Sequence, residues 1–221
     1  MNAATPHRLC VKQQNQRALA PILTRHAHLE IAAALRHAIQ DRDGPHKPIL
    51  LTGESGCGKS TALIVAAACA QELDAIVVHI PQALAMVDST TSYTYSEGLR
   101  GYSQPDLTAK FLSDLLQQNQ LRLQRVTVEG NQSVEQLLQS SLSPSASASA
   151  KHDALEKALR AIAQQNAFPV VLIVDEVEAL FTATSYKDAD FRALQSYELA
   201  VPRTLLSLLL ETSAVASGPR A

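Results

Sequence analysis

The sequence predicts an α/β fold, a parallel sheet flanked by helices, and three observations carry that expectation. Ile49-Leu50-Leu51, with Pro48 at its edge, is a short apolar run that reads as a buried strand and leads into a glycine-rich turn. Ala62 to Leu73 follows, apolar at 62, 63, 66, 67, 70 and 73, the pattern of a helix with a wide buried face. Far downstream, Val170-Val171-Leu172-Ile173-Val174 is an unbroken β-branched or leucine run, as expected of a parallel strand covered on both faces.

The turn between the first strand and its helix is Gly53-Glu54-Ser55-Gly56-Cys57-Gly58-Lys59-Ser60-Thr61, which matches G-x-x-x-x-G-K-[ST], the phosphate-binding loop of P-loop nucleoside triphosphatases. Glycines at 53, 56 and 58 permit positive φ and let backbone N–H groups converge on an anion at the positive end of the following helix. In such a loop Lys59 neutralises the β and γ phosphates and the Ser60 hydroxyl coordinates Mg²⁺. A chance match in an ordinary glycine turn is the competing reading, and the flanking strand and helix argue against it. Cys57 occupies a variable position of the motif, filled by a small residue or by a reactive thiol.

The chain carries 19 Lys and Arg against 21 Asp and Glu, and 46% hydrophobic residues suit one globular core. No apolar run reaches the length of a membrane span, and no secretory apolar core stands near the start. Three cysteines, Cys10, Cys57 and Cys69, lack paired or metal-like spacing, which points to reduced thiols inside the cell. Residues 1–42 hold six basic residues against two acids, the first of them Glu30. Residues 1–27 therefore read as a loose basic segment. It is either a disordered start or a mitochondrial transit peptide without a clear amphipathic stripe.

Residues 28–212 read as the folded unit. His28 to Gln40 places Ile31, Leu35, Ala38 and Ile39 on one helical face, closed by Asp43-Gly44-Pro45. Ala75 to Ile80 is a second buried strand ended by Pro81. Met86 to Gln104 is a polar surface excursion whose Tyr93, Tyr95 and Tyr102, with Arg100, are either solvated turn residues or a base-stacking set. Pro105-Asp106 opens a helix bearing Leu107, Phe111, Leu115 and Leu116. The tract at about 136–150, ending in SSLSPSASASA, is expected to be a disordered low-complexity insertion. Asp153 and Glu156 have capping-box spacing ahead of a helix with Leu155, Leu159 and Ile162. Phe181 to Tyr197 is mixed and polar. Pro202 opens a last helix through Leu205, Leu206, Leu209 and Leu210, and residues 213–221 should fray.

Asp175 and Glu176 end the third strand, where open α/β sheets bind ligands. About 115 residues after the glycine loop, Asp175 suits the Mg²⁺-holding carboxylate of the second nucleotide motif. Glu176 suits the group that orients or deprotonates an attacking water.

The residues between and after these motifs are distinctive. They include His79-Ile80-Pro81, Ser92-Tyr93-x-Tyr95, Tyr102-x-Gln104-Pro105, Ala179-Leu180-Phe181, Ser185-Tyr186 and Ser196-Tyr197-x-Leu199-x-Val201-Pro202. Over roughly residues 28–212 the chain resembles the fungal branch of a mitochondrial ribosomal family, small-subunit GTP-binding proteins called death-associated proteins in animals. The resemblance implies an AAA-like P-loop nucleotide domain that contacts small-subunit ribosomal RNA and ribosomal proteins and holds GTP or ATP with Mg²⁺. It also implies a chain truncated at its C-terminus, since family members continue further. In AAA-type sheets, strand order 5-1-4-3-2 would then leave the strand at 49–53 without neighbours.

Three functions follow from these readings. The first is a structural ribosomal protein with bound nucleotide and little or no turnover. The second is an active AAA-type or signalling ATPase, for which no arginine finger is marked beyond Arg203 as the nearest arginine. The third is a nucleotide or small-molecule kinase, against which the missing Arg-rich lid counts. No N-K-x-D motif reads guanine, so the base stays open. Since RNA-coating proteins are usually basic, RNA contact would be local, through the N-terminal region or Arg100, Lys110, Arg122 and Arg125.

Overall fold

Two parallel strands form the centre of the molecule, β1 (Ile76–Ile80) and β4 (Val170–Val174), in the register Ile76–Val170 to Ile80–Val174. The computed structural model describes residues 26–40, 48–128 and 130–215. The basic segment before residue 26, the 41–47 connection and the last six residues lie outside that description.

Side chains alternate across this pair, as the pleat dictates. Val77 and Ile173 face α2 (Lys59–Glu72), packing with Val65, Ala66, Cys69 and Ala70. Leu35 of α1 (His26–Gln40) closes that layer from outside. Ile76, Val78 and Ile80 face the other way, into the larger core built from α3 (Pro105–Leu123) and α5 (Ala148–Gln164), with Phe111, Leu112, Leu115, Leu155, Leu159 and Ile162. The result is an α/β sandwich with helices on both faces of a parallel pair, as the sequence predicts.

The expected strand at 49–53 does not form. Residues 48–53 adopt no regular structure, and Ile49 and Leu50 are 52% and 73% exposed. A strand is stable only with a ladder partner, and among the described residues no strand pairs with these. The third predicted strand lies beside the second, the adjacency that the order 5-1-4-3-2 expects, and residues 49–53 are left without neighbours as that order implies.

The tract at 136–150 is not a disordered insertion. Val134–Ser141 is helix α4, whose Ser133 N-cap accepts from the Gln136 amide at 3.2 Å while the Ser133 amide donates to Gln136 Oε1 at 3.3 Å. Val134 and Leu138 are fully buried. Helix α5 then starts at Ala148, capped by Ser147 Oγ on the Ala150 amide, and not at the Asp153–Glu156 spacing, which falls inside it. Serines that look like low complexity in composition serve here as caps.

Two short antiparallel hairpins occupy stretches expected to be irregular. β2 (Thr94–Ser96) pairs with β3 (Gly101–Ser103), and β5 (Ala183–Lys187) with β6 (Ala193–Gln195). Gly101 is buried with a close approach that only glycine allows: a Cβ would sit 2.8 Å from the Glu198 carbonyl oxygen. The last helix, α6 (Ala200–Val215), carries Pro202 in its first turn and buries Val201 and Leu205.

Candidate functional site

Gly53, Gly56 and Gly58 take φ of 147°, 78° and 100°, values at which a side chain would be strained. Gly58 is the N-cap of α2 in left-handed conformation, and no side chain caps the helix there. No acidic residue stands in its first turn. The first-turn N–H groups and the positive helix end therefore face outward without a built-in anion.

Lys59 is half-buried and folds back across the loop. Its Nζ donates to the Gly53 and Glu54 carbonyl oxygens, both at 2.9 Å, and lies 3.9 Å from Cys57 Sγ. The Cys57 amide donates to the Glu54 carbonyl at 3.3 Å, closing the turn. Glu54, Ser55, Cys57 and Ser60 are exposed, and Thr61 is half-buried. The ammonium is thus aimed into the mouth of the loop by the loop's own carbonyls.

Asp175 and Glu176 stand at the C-terminal end of β4, both half-buried. The Asp175 amide donates to Ile80 O at 2.9 Å, and Asp175 O accepts from the Ala83 amide at 3.1 Å. Asp175 Oδ1 accepts the Glu176 amide at 3.0 Å. Glu176 turns into left-handed backbone, φ 57°, and its Oε2 accepts from the Leu84 amide at 3.4 Å. His79, on β1 beside this end, is held below its ordinary pKa by burial, with Asp175 and Asp114 opposing the shift. Each motif is internally organised. Lys59 bonds to carbonyls of its own loop, while Asp175 and Glu176 bond to each other and to the Ile80–Leu84 segment.

Other candidates are engaged elsewhere. Arg203 Nη2 donates to the Leu99 carbonyl at 2.8 Å and clamps the β2–β3 turn. Arg122 bridges to Asp74 at 2.8 Å and donates to Gln71 O at 2.8 Å. Arg125 lies 5.1 Å over the Phe168 ring. Arg100 and Lys110 are exposed.

A second polar constellation escaped the motif reading. Gln104, fully buried at the start of α3, donates from Nε2 to Met86 O at 2.8 Å and to the Tyr186 hydroxyl at 3.0 Å. That hydroxyl also pairs with Thr91 Oγ1 at 2.6 Å. Ser196 Oγ donates to the Leu180 carbonyl. The distinctive stretches around Gln104, Ser185-Tyr186, Leu180 and Ser196 therefore meet one another, and their role is to lock the two hairpins onto the core. No motif spacing links them, because the partners lie 16 to 95 residues apart.

Fold and site define an α/β protein with a glycine-rich helix start and a carboxylate pair at the C-terminal edge of a parallel strand. The chain belongs to the mitochondrial ribosomal death-associated protein 3 family, whose profile matches residues 22–220. It is 29% identical over 186 residues to the small ribosomal subunit protein mS29 of Schizosaccharomyces pombe, covering 73% of this chain and 37% of that protein. It is 24% identical over 186 residues to the protein of the same name in Neurospora crassa, covering 80% of this chain and 40% of that one. The chain thus spans well under half the length of these curated relatives.

Proposed function

We propose that this chain is a structural component of the mitochondrial small ribosomal subunit. In this reading it resides in the mitochondrial ribosome, contacts ribosomal RNA and neighbouring ribosomal proteins, and holds a purine nucleoside triphosphate, GTP or ATP. Family membership supports the ribosomal part. One observation carries the nucleotide part: left-handed glycines deliver an uncapped helix start with Lys59 folded over it.

A P-loop NTPase reading of the fold is supported by the order of parts: glycine loop, helix α2 on one face of the parallel pair, and two acids at a strand end. The residues fit a Mg²⁺-triphosphate. Among the described residues no group of three or more His, Cys, Asp and Glu is gathered for a metal, so the ion would arrive with the phosphates and be met by Ser60 and Asp175. Bound Mg²⁺ would neutralise phosphate charge. Lys59 and the loop amides bind and orient the phosphates, and Asp175 is fixed for its task by the Ile80, Ala83 and Glu176 backbone.

Low turnover follows from what is committed elsewhere. Arg203 is bound to the Leu99 carbonyl, and the Glu176 carboxylate is drawn to the Leu84 amide. An active AAA-type ATPase is the second reading, favoured by the Asp175-Glu176 pair at the strand end. Co-sedimentation of the tagged full-length protein with mitochondrial small subunits tests the conclusion. Recovery only at the top of the gradient would overturn the ribosomal assignment.

A further inference from the structure

Every residue of β1 and β4 is apolar except His79. The pleat fixes where that imidazole goes. Val77 and Ile173 pack on α2, while Ile76, Val78 and Ile80 enter the opposite core. The same alternation carries His79 and Asp175 to the α2 side. Register sets them close together, since His79 pairs with Ile173 and Asp175 follows two residues later.

The chain connection sets the level of the glycine loop. The Ala75 amide donates to Ala70 O at 3.0 Å, so α2 turns back directly into β1. From Ala75 to Ile80 the strand climbs about 16.5 Å, at roughly 3.3 Å per residue. From Ala70 back to Lys59 the helix spans about 16.5 Å, at roughly 1.5 Å per residue. The start of α2, where the glycine loop ends, therefore stands level with the His79–Ile80 end of β1. His79, Asp175 and Lys59 share one side of the sheet and one end of it.

His79 is half-buried, and the charges acting on it are Asp175 and, from α3, Asp114. Among the described residues no hydrogen bond engages its ring. A neutral imidazole carries one N–H donor, and here that donor is uncommitted.

We infer that His79 contacts phosphate, donating its ring N–H to the terminal phosphate of a bound purine nucleoside triphosphate and so favouring triphosphate over diphosphate. This assignment rests on the nucleotide reading above. In that reading the loop amides take the α and β phosphates, and the ion met by Asp175 joins the β and γ oxygens. The γ-phosphate is then the one that faces the strand ends, where His79 stands.

Calorimetric titration of the full chain with GTP, GDP, ATP and ADP, each with Mg²⁺, tests the assignment. His79→Ala should weaken triphosphate binding roughly tenfold, as loss of a hydrogen bond to a charged group does, and leave diphosphate binding unchanged. His79→Gln keeps a side-chain N–H and should restore part of the preference. Equal loss for both nucleotides, or no loss, would make His79 a packing residue and overturn the inference. The unsubstituted chain gives a second readout through isotope-labelled histidine. The ring nitrogen resonances of His79 should move with Mg²⁺-triphosphate and not with Mg²⁺-diphosphate, and equal movement or none overturns it. If the unsubstituted chain binds neither nucleotide, the nucleotide reading falls and this assignment with it. If it binds both and Lys59→Ala abolishes binding while His79→Ala keeps the triphosphate preference, only the assignment to His79 falls.

Discussion

The Asn119 side chain pairs with the backbone of Val77 as a neighbouring strand would. Its Oδ1 accepts the Val77 amide at 2.8 Å and its Nδ2 donates to the Val77 carbonyl at 2.8 Å, with a further bond to Leu115 O at 3.0 Å. Asn119 lies in α3 and is 1% exposed, so one buried amide satisfies Val77 on the edge of β1 that β4 does not cover. Replacing it with Leu leaves two buried backbone groups unpaired, each worth about 1–3 kcal/mol. Asn119→Leu should therefore lower the denaturant midpoint substantially, although Leu adds apolar bulk. An unchanged midpoint would show that water or a backbone shift replaces the seal.

The opposite edge of the pair is open. Ile76 N donates to Pro169 O and Asp175 N donates to Ile80 O, so odd-numbered residues of β4 face β1. The N–H and C=O groups of Val170, Leu172 and Val174 then point away, and no strand covers them among the described residues. An open apolar edge invites self-association. Val170 is 42% exposed, so Val170→Lys should reduce light scattering by the isolated chain with little change in thermal unfolding. Val171→Pro, which removes a ladder donor, should unfold it.

Lys59→Ala should abolish triphosphate binding and leave the fold intact, because the ammonium's partners are loop carbonyls and a thiol. Calorimetric titration with GTP and with ATP, each with Mg²⁺, measures this, and undiminished affinity would refute the phosphate-loop assignment.

Hydrolysis by the purified chain should fall well below the roughly 1–100 s⁻¹ of kinases, since an arginine finger elsewhere contributes about 10³–10⁵ in rate. Rapid phosphate release that disappears in Glu176→Gln would instead establish the ATPase reading.

Stability should decline on mild acidification. Burial holds His79 and His152 below their ordinary value near 6.5, with Asp175 and Glu156 respectively opposing. A histidine whose folded pKa is depressed binds its proton first in the unfolded chain. Stability is therefore full above about 6.5 and falls as pH drops from there toward the lower folded values. Denaturant unfolding at pH 7.5 and 5.5 should show the loss, and a variant with His79→Gln and His152→Gln should show less of it. Equal slopes in the two proteins would assign the loss to other groups.

Helices α1, α2, α3 and α6, the body of α5, the strands β1 and β4, and the glycine turn were legible from the amino-acid order alone. Their information is local: apolar periodicity, Pro105 and Pro202 near helix starts, and glycines where φ must be positive. Tertiary structure alone decided the rest. Residues 49–53 have strand composition but form no strand, since a ladder needs a partner and none lies beside them among the described residues. The serine-rich tract forms helices because Ser133 and Ser147 cap them and Val134 and Leu138 find a core. Sealing by Asn119 and the meeting of Gln104 with Tyr186 likewise have no signature in spacing. A helix closes its hydrogen bonds within itself, so a short window of sequence is enough to read it. Strand pairing, edge sealing and hairpin docking join residues up to 104 apart, and only the folded chain sets which distant groups meet.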